Sequence, residues 1–257
     1  MNMDFKRIGE AFLNFDYAKY SEQLLESMKA VQTAVKQIAE AFGSDIYDAQ
    51  YTEKLVDSFK KWGEKGWSLN AETNPTFFIK PPLSSKDADE RMQPYCTEEN
   101  ITEMNEELVG CGISAEDINE ALSSYTANNY KSCALMLFSI LDHELISKGY
   151  RYERKKSGQG KLKTGNSAIL AYKDDKKDAY SEKFLFERLT FICVTEAILT
   201  LFHPYENFNN EPDCVNRHFL IHGMSKRSVT KMDCLKIWSA LYSFVVLVPI
   251  MEEETDD

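Results

Sequence analysis

Apolar side chains recur along much of the chain at steps of three and four residues, the spacing that places them on one face of an α-helix. The clearest series near the start is Leu24, Met28, Val31, Val35, Ile38 and Phe42. Two arrangements would cover that face: a second helix of the same chain, for which residues 55–59 are the candidate, or a coiled-coil dimer. We therefore predict an N-terminal helical region over residues 1–69.

Prolines interrupt the pattern after this region. Four of the seven prolines fall between residues 70 and 97, namely Pro75, Pro81, Pro82 and Pro94. Proline inside a helix removes a backbone donor and clashes with the preceding turn. The sequence therefore predicts a linker over residues 70–112.

Helical patterns return over residues 113–251. Ser114 precedes Ala-Glu-Asp and predicts a helix start, and a second helix is predicted from about Asn129 through a strongly apolar run. Further helices are predicted over residues 183–202 and 230–249, followed by an acidic tail over residues 252–257. Since no alternating strand pattern occurs, we predict an all-α fold whose C-terminal part is a helical bundle.

Composition narrows the possible partners. The 257 residues carry 30 Lys and Arg against 41 Asp and Glu, a net charge of -11, which excludes nucleic-acid binding through a uniformly basic surface. The six cysteines form no C-x-x-C pair and are expected to be reduced and mostly buried. The N-terminus has no signal-peptide pattern and the longest apolar run is too short for a membrane span, so we expect a cytoplasmic protein without a membrane partner.

Two of the four histidines lie in the segment Asn216-Arg217-His218-Phe219-Leu220-Ile221-His222-Gly223. Arg217 and His222 are five positions apart, about 140° around a helix, so both face one site only near a helix end, which Gly223 predicts. An arginine fork that binds phosphate and a histidine that titrates near neutrality suit phosphodiester cleavage in RNA without a metal.

This segment resembles the R-x4-H motif of ribonucleases in the HEPN superfamily (higher eukaryotes and prokaryotes nucleotide-binding). Arg217, the polar His218 and His222 match that motif, and Asn216 and Gly223 extend the match to the N-R-H-x-x-x-H-G form. The resemblance covers roughly residues 113–250. It implies a homodimeric helical bundle that cleaves RNA without a cofactor, with Arg217 and His222 catalytic and His218 in a supporting role.

In this family an acidic residue from an earlier helix often supports the arginine. Asp142 and Glu144 are the candidates by position, and Glu196 competes with them. The resemblance also implies a toxin or antiphage effector with a possible regulatory or antitoxin partner. Tyrosine modification by such a partner is not expected, because Met224 stands where the modified tyrosine would be.

Residues 151–163 are strongly basic and contain two glycines. We predict an exposed loop that either is simply solvated or tracks RNA phosphates with Arg151, Arg154, Lys155, Lys156, Lys161 and Lys163. The overlapping stretch from Gly160 to Ser167 imitates a phosphate-binding P-loop, but Asn166 replaces the required lysine, which argues against a nucleotide hydrolase.

Other interpretations of the motif remain. If residues 213–222 were one helix, Cys214, His218 and His222 would form a stripe able to contact zinc, but no fourth ligand is evident and we predict no metal. Arg217 could be a structural salt-bridge partner. The protein could then be a non-catalytic HEPN-like module that binds RNA, a nucleotide or a protein.

Overall fold

The structure is a computed structural model that describes residues 48–157, 163–182 and 185–249. These residues form nine α-helices and no β-strand, so the predicted all-α fold is confirmed. The predicted helix over residues 24–42 and the acidic tail 252–257 lie outside the described residues.

The described helices are numbered here in chain order. They are α1 (Asp48–Gly63), α2 (Ser85–Met92), α3 (Glu98–Gly110), α4 (Ala115–Thr126), α5 (Tyr130–Ser157), α6 (Gly165–Glu182), α7 (Leu185–Leu201), α8 (Arg217–Ile221) and α9 (Lys231–Tyr242). Short 3-10 helices occupy Pro75–Ile79 and Gln93–Tyr95, and a π-helical turn at Ser243–Leu247 continues α9.

Side-chain caps account for two of the predicted helix starts. The Ser114 hydroxyl accepts a hydrogen bond from the Asp117 amide at the start of α4. At the start of α9, Thr230 and Asp233 bond reciprocally to each other's backbone N–H, a capping box that satisfies two otherwise unpaired donors. Both helices therefore begin where the sequence predicts.

The core is built around α5, α7 and α9. Nearly every residue of α9 is buried, and its Trp238 indole donates to the Asn105 side chain of α3 at 2.8 Å. α1 packs against α7 so closely that a Cβ on Gly63 would lie 2.5 Å from the Cys193 carbonyl oxygen. Any larger residue at position 63 would force α1 and α7 apart.

Residues 70–112, predicted to be a linker, instead form α2, α3 and both 3-10 helices and contribute Phe78, Met92 and Met104 to the core. Pro75 is the first residue of its 3-10 helix and Pro94 the second residue of the other, and proline is tolerated in this first turn because the missing N–H has no helical partner. The linker prediction is corrected: this segment is part of the same packed unit.

The predicted basic loop over residues 151–163 is also corrected in part. α5 continues through Arg151, Arg154, Lys155 and Lys156 and ends at Ser157. Lys161 lies outside the described residues, and Lys163 is half-buried just before α6. Charged residues are compatible with helix, and the first glycine after Gly149 comes only at position 158.

Four of the six cysteines, Cys133, Cys193, Cys214 and Cys234, are buried, and all six are free thiols, as expected. Among the described helices, none combines the length and the hydropathy needed to cross a bilayer.

A buried charge joins α9 to α2. The Lys236 side chain is 2% exposed, and its Nζ lies 2.7 Å from Asp89 Oδ1. The Trp67 indole N–H donates to the same carboxylate oxygen at 2.8 Å. The Asp89 side chain is 32% exposed, so water reaches the carboxylate but hardly reaches the ammonium.

We expect Asp89→Ala to lower the free energy of unfolding by about 3 kcal/mol, because it leaves a buried ammonium without its carboxylate. Lys236→Met should cost less, since Asp89 remains partly hydrated. Glu90→Ala is the control, because its ion pair with Lys86 is exposed and contributes little. Urea unfolding of the three variants measures the order, and equal losses for Asp89→Ala and Lys236→Met would contradict it.

Candidate functional site

Arg217 to Ile221 of the R-x4-H motif form α8, a five-residue helix that is fixed at its start by Asn216, and His222 is its C-cap residue. The buried Asn216 side-chain oxygen accepts hydrogen bonds from the His218 and Phe219 amides. Its amide nitrogen donates to the carbonyls of Thr200 and His203 at 3.4 and 3.1 Å. One side chain thus caps the N-terminus of α8 and satisfies carbonyls at the end of α7.

The end of α8 is set by Gly223. Gly223 has φ of +68°, a conformation that favours glycine, and the chain turns back so that the Met224 amide donates to the Phe219 carbonyl at 2.9 Å. Phe219 and Leu220 are buried, whereas His222 is exposed. The motif therefore ends at a helix terminus, as predicted, with His222 open to solvent.

Asp142 of α5 holds Arg217. The Asp142 Oδ2 accepts a hydrogen bond from Arg217 Nη2 in an ion pair, and Oδ1 accepts from the Gly165 amide at 3.1 Å. The Asp142 side chain is 15% exposed and that of Arg217 is 29% exposed. The carboxylate therefore joins the motif to the N-terminus of α6.

The other two candidate acids lie elsewhere. Glu196 forms an ion pair with Lys173 of α6. Glu144 Oε1 lies 4.0 Å from His143 Nε2 on α5. Asp142 is therefore the one of the three candidate carboxylates that contacts Arg217.

The two imidazoles of the motif lie side by side and contact an aromatic residue of the preceding loop. The ring centroids of His218 and His222 are 4.9 Å apart. The Phe208 ring stacks on His218 at 4.8 Å with an interplanar angle of 13°, and lies 5.8 Å from His222 at 60°. Burial, followed by the nearby His222 and Arg217, lowers the pKa of His218, so His218 is neutral at neutral pH.

Most of the basic residues proposed to hold RNA lie on the helix that carries Asp142. Arg151, Arg154, Lys155 and Lys156 are in the last turns of α5, and Arg151 is about 14 Å along the helix axis from Asp142. Lys163 lies two residues before Gly165, the first residue of α6, whose amide bonds to Asp142.

The alternative zinc stripe depends on a continuous helix over residues 213–222, but α8 begins at Arg217. The buried Cys214 sulfur lies 3.9 Å from the Lys65 carbonyl, in the core beside Gly66. Within the described part of the chain no group of three or more His, Cys, Asp or Glu side chains has the geometry for a metal ion.

Sequence reasoning missed two residues of the loop that connects α7 to α8. Besides Phe208, this loop contains Glu211, whose carboxylate accepts hydrogen bonds from the Ser225 hydroxyl and from the amides of Lys226 and Arg227. Burial opposes ionisation of Glu211, but these hydrogen bonds and Arg227 lower its pKa overall. Glu211 therefore fixes the chain that follows His222. The signal available in the sequence was an aromatic and acidic loop directly before the motif.

Comparisons with protein-family models, with curated proteins and with solved structures give no match for this chain. The HEPN resemblance therefore depends on the motif and its helical setting alone.

We expect Asn216→Ala to lower the melting temperature by about 4 to 8 °C, because it removes a helix cap and leaves buried carbonyls unpaired at a cost of about 2 kcal/mol. Asn216→Asp should retain the cap, but it places a carboxylate oxygen against the two buried carbonyls, so its melting temperature should also fall. Asn210→Ala is the control, because the Asn210 side chain is exposed on the same loop. Calorimetry measures the order, and an unchanged melting temperature in Asn216→Ala would contradict it.

Proposed function

We propose that this protein is a metal-independent endoribonuclease of the HEPN type that works as a homodimer in the cytoplasm, as a toxin or antiphage effector under a regulatory or antitoxin partner. The observation that carries the proposal is the geometry of α8. Arg217 and His222 occupy the two ends of one capped turn, Arg217 is oriented by Asp142, and His222 is exposed where a substrate can reach it.

The chemistry uses the substrate's own 2'-hydroxyl as the nucleophile. Neutral His222 accepts the proton of the 2'-OH, whose oxygen forms a new bond to phosphorus while the bond from phosphorus to the 5'-oxygen breaks. The leaving 5'-oxygen takes a proton from an acid on the other side of the phosphate. The products are a 2',3'-cyclic phosphate and a 5'-hydroxyl.

Arg217 stabilises the negative charge that develops on the phosphate oxygens. Its Nη2 is held by Asp142, which restricts the side chain before the substrate arrives. A guanidinium that is already oriented loses less conformational freedom on binding phosphate. Asp142 is therefore a positioning residue in this mechanism, as is His218.

A homodimer supplies this acid. His222 provides one imidazole, and in-line transesterification needs a base and an acid on opposite sides of the phosphate, so His222 of the partner subunit completes the site. The apolar side chains of Ile221 and Met224, which flank His222, are 46% and 41% exposed. Their exposure favours a contact that buries them beside the site.

Basic residues on α5 supply the electrostatic attraction for RNA. Arg151, Arg154, Lys155 and Lys156 follow Asp142 on one helix, and Lys161 and Lys163 continue the basic stretch toward α6. This local concentration of cations attracts a phosphate backbone despite a net charge of -11 for the chain.

The Asp142 ion pair also favours a second candidate function, a non-catalytic HEPN-like module that binds RNA, a nucleotide or a protein. In that case Arg217 serves only to attach α8 to α5. Arg217→Ala distinguishes the two functions: the catalytic one predicts lost cleavage with a retained fold, and the structural one predicts a lower melting temperature without any cleavage to lose.

We expect the wild-type protein in excess EDTA to cleave single-stranded RNA but not DNA of the same sequence, because DNA lacks the 2'-OH. His222→Ala should reduce the rate by about 100-fold or more. His143→Ala is the matched control, since His143 is a 75% exposed histidine of α5. Loss of RNA cleavage in EDTA, or an equal loss in both variants, would refute the mechanism.

We expect a dimer by small-angle scattering and by ultracentrifugation. Met224→Glu should weaken the dimer and lower cleavage together, because the charge must be buried at the contact. Leu83→Glu is the control: Leu83 is 88% exposed and lies between the first 3-10 helix and α2. A monomeric wild-type protein that cleaves RNA, or a dimer that Met224→Glu leaves intact, would exclude this composite site.

A further inference from the structure

The loop between α7 and α8 provides a ring that contacts both histidines of the motif. Phe208 stacks face to face on His218 and meets His222 at an angle, so one side chain contacts both imidazoles. Imidazoles four residues apart on a helix share a face, but nothing in the helix itself fixes the plane of either ring.

Phe208 packs against the buried core on its other side. Its ring lies 5.2 Å from the buried Phe219 ring at 89°, an edge-to-face contact. Tyr205, from the same loop, packs on the same Phe219 ring at 5.2 Å and 76°. Tyr205 and Phe208 therefore both rest on one core side chain of α8.

The loop is attached on both sides of Phe208. Before it, the His203 carbonyl accepts a hydrogen bond from the Asn216 side chain. After it, Glu211 binds the turn at residues 225–227. The position of Phe208 relative to α8 is thus determined by contacts that do not involve the histidines.

We propose that Phe208 is a positioning residue that sets the ring orientations of His218 and His222. The structural part of this inference is independent of RNA cleavage, whereas its catalytic consequence rests on the proposed ribonuclease function. With the ring present, the His222 nitrogen that accepts the 2'-OH proton keeps one direction. With an aliphatic side chain in its place, both imidazoles rotate more freely and the productive geometry is populated less often.

The charged groups around His218 come from two helices. Arg217 and His218 belong to α8, and His222 is its C-cap residue. Asp142 of α5 neutralises part of the Arg217 charge, and Phe208 adds an uncharged surface. The Phe208 ring covers one face of His218 and excludes water from it. Such burial disfavours the charged imidazolium and lowers the pKa of His218.

The test uses nuclear magnetic resonance of the histidine rings in the full chain. In the wild type we expect nuclear Overhauser contacts between Phe208 and both imidazoles, and upfield ring-current shifts of the His218 ring protons. This measurement needs no substitution. Absence of the Phe208 contacts in the wild type would overturn the proposal.

Substitutions then distinguish the effect of the Phe208 ring from a general effect of the loop. Phe208→Leu should abolish the upfield shifts and also weaken the nuclear Overhauser contacts between the His218 and His222 rings, because imidazoles that rotate freely average those contacts. Phe208→Tyr should retain both signals. Tyr205→Leu is the matched control, because Tyr205 rests on the same Phe219 ring and its other ring contact is His203. Overhauser contacts between the two imidazoles that Phe208→Leu leaves unchanged, or equal losses in Tyr205→Leu, would overturn the proposal.

Kinetics give the catalytic readout. Phe208→Leu should lower kcat for RNA cleavage by about 10- to 100-fold with little change in KM, and Phe208→Tyr should restore it. Absence of wild-type cleavage would refute the ribonuclease function, while the resonance data still decide the positioning role. Cleavage by Phe208→Leu at the wild-type kcat would refute the catalytic consequence.

Discussion

The candidate site depends on one buried amide, the side chain of Asn216. A helix of five residues forms too few internal hydrogen bonds to be stable alone, so its geometry must be imposed by its surroundings. Asn216 does this by bonding to the first amides of α8 and to carbonyls where α7 ends. Because α7 is largely buried, the position of the motif is determined by the core rather than by the loops around it.

Charge at the site is concentrated and partly compensated. Arg217 and the two histidines of α8 lie close enough that His222 and Arg217 both lower the pKa of His218. Asp142 balances Arg217 while also bonding to the first amide of α6, so the carboxylate orients the guanidinium and a second helix together. For His218 this arrangement favours the neutral imidazole over the imidazolium.

The sequence predicted features that depend on local chemistry. Ser114 and Thr230 begin helices because their hydroxyls reach nearby amides, and Gly223 ends one because it adopts a positive φ. The prediction of a linker at residues 70–112 was wrong, because prolines such as Pro75 disrupt the interior of a helix but are tolerated in its first turn. Composition alone could not show that these short helices pack into the core.

Tertiary contacts account for what the sequence left open in the site. Asp142, Glu144 and Glu196 were indistinguishable by position, and only the packing of α5 against α8 selects Asp142 for Arg217. Phe208 gave no periodic signal because it lies in an irregular loop, and its role depends on a ring contact across ten residues of sequence. The pair that would carry out the chemistry is local, and the groups that orient it are not. A motif match therefore identifies where a reaction could occur, whereas the orientation of its groups depends on contacts that no motif encodes.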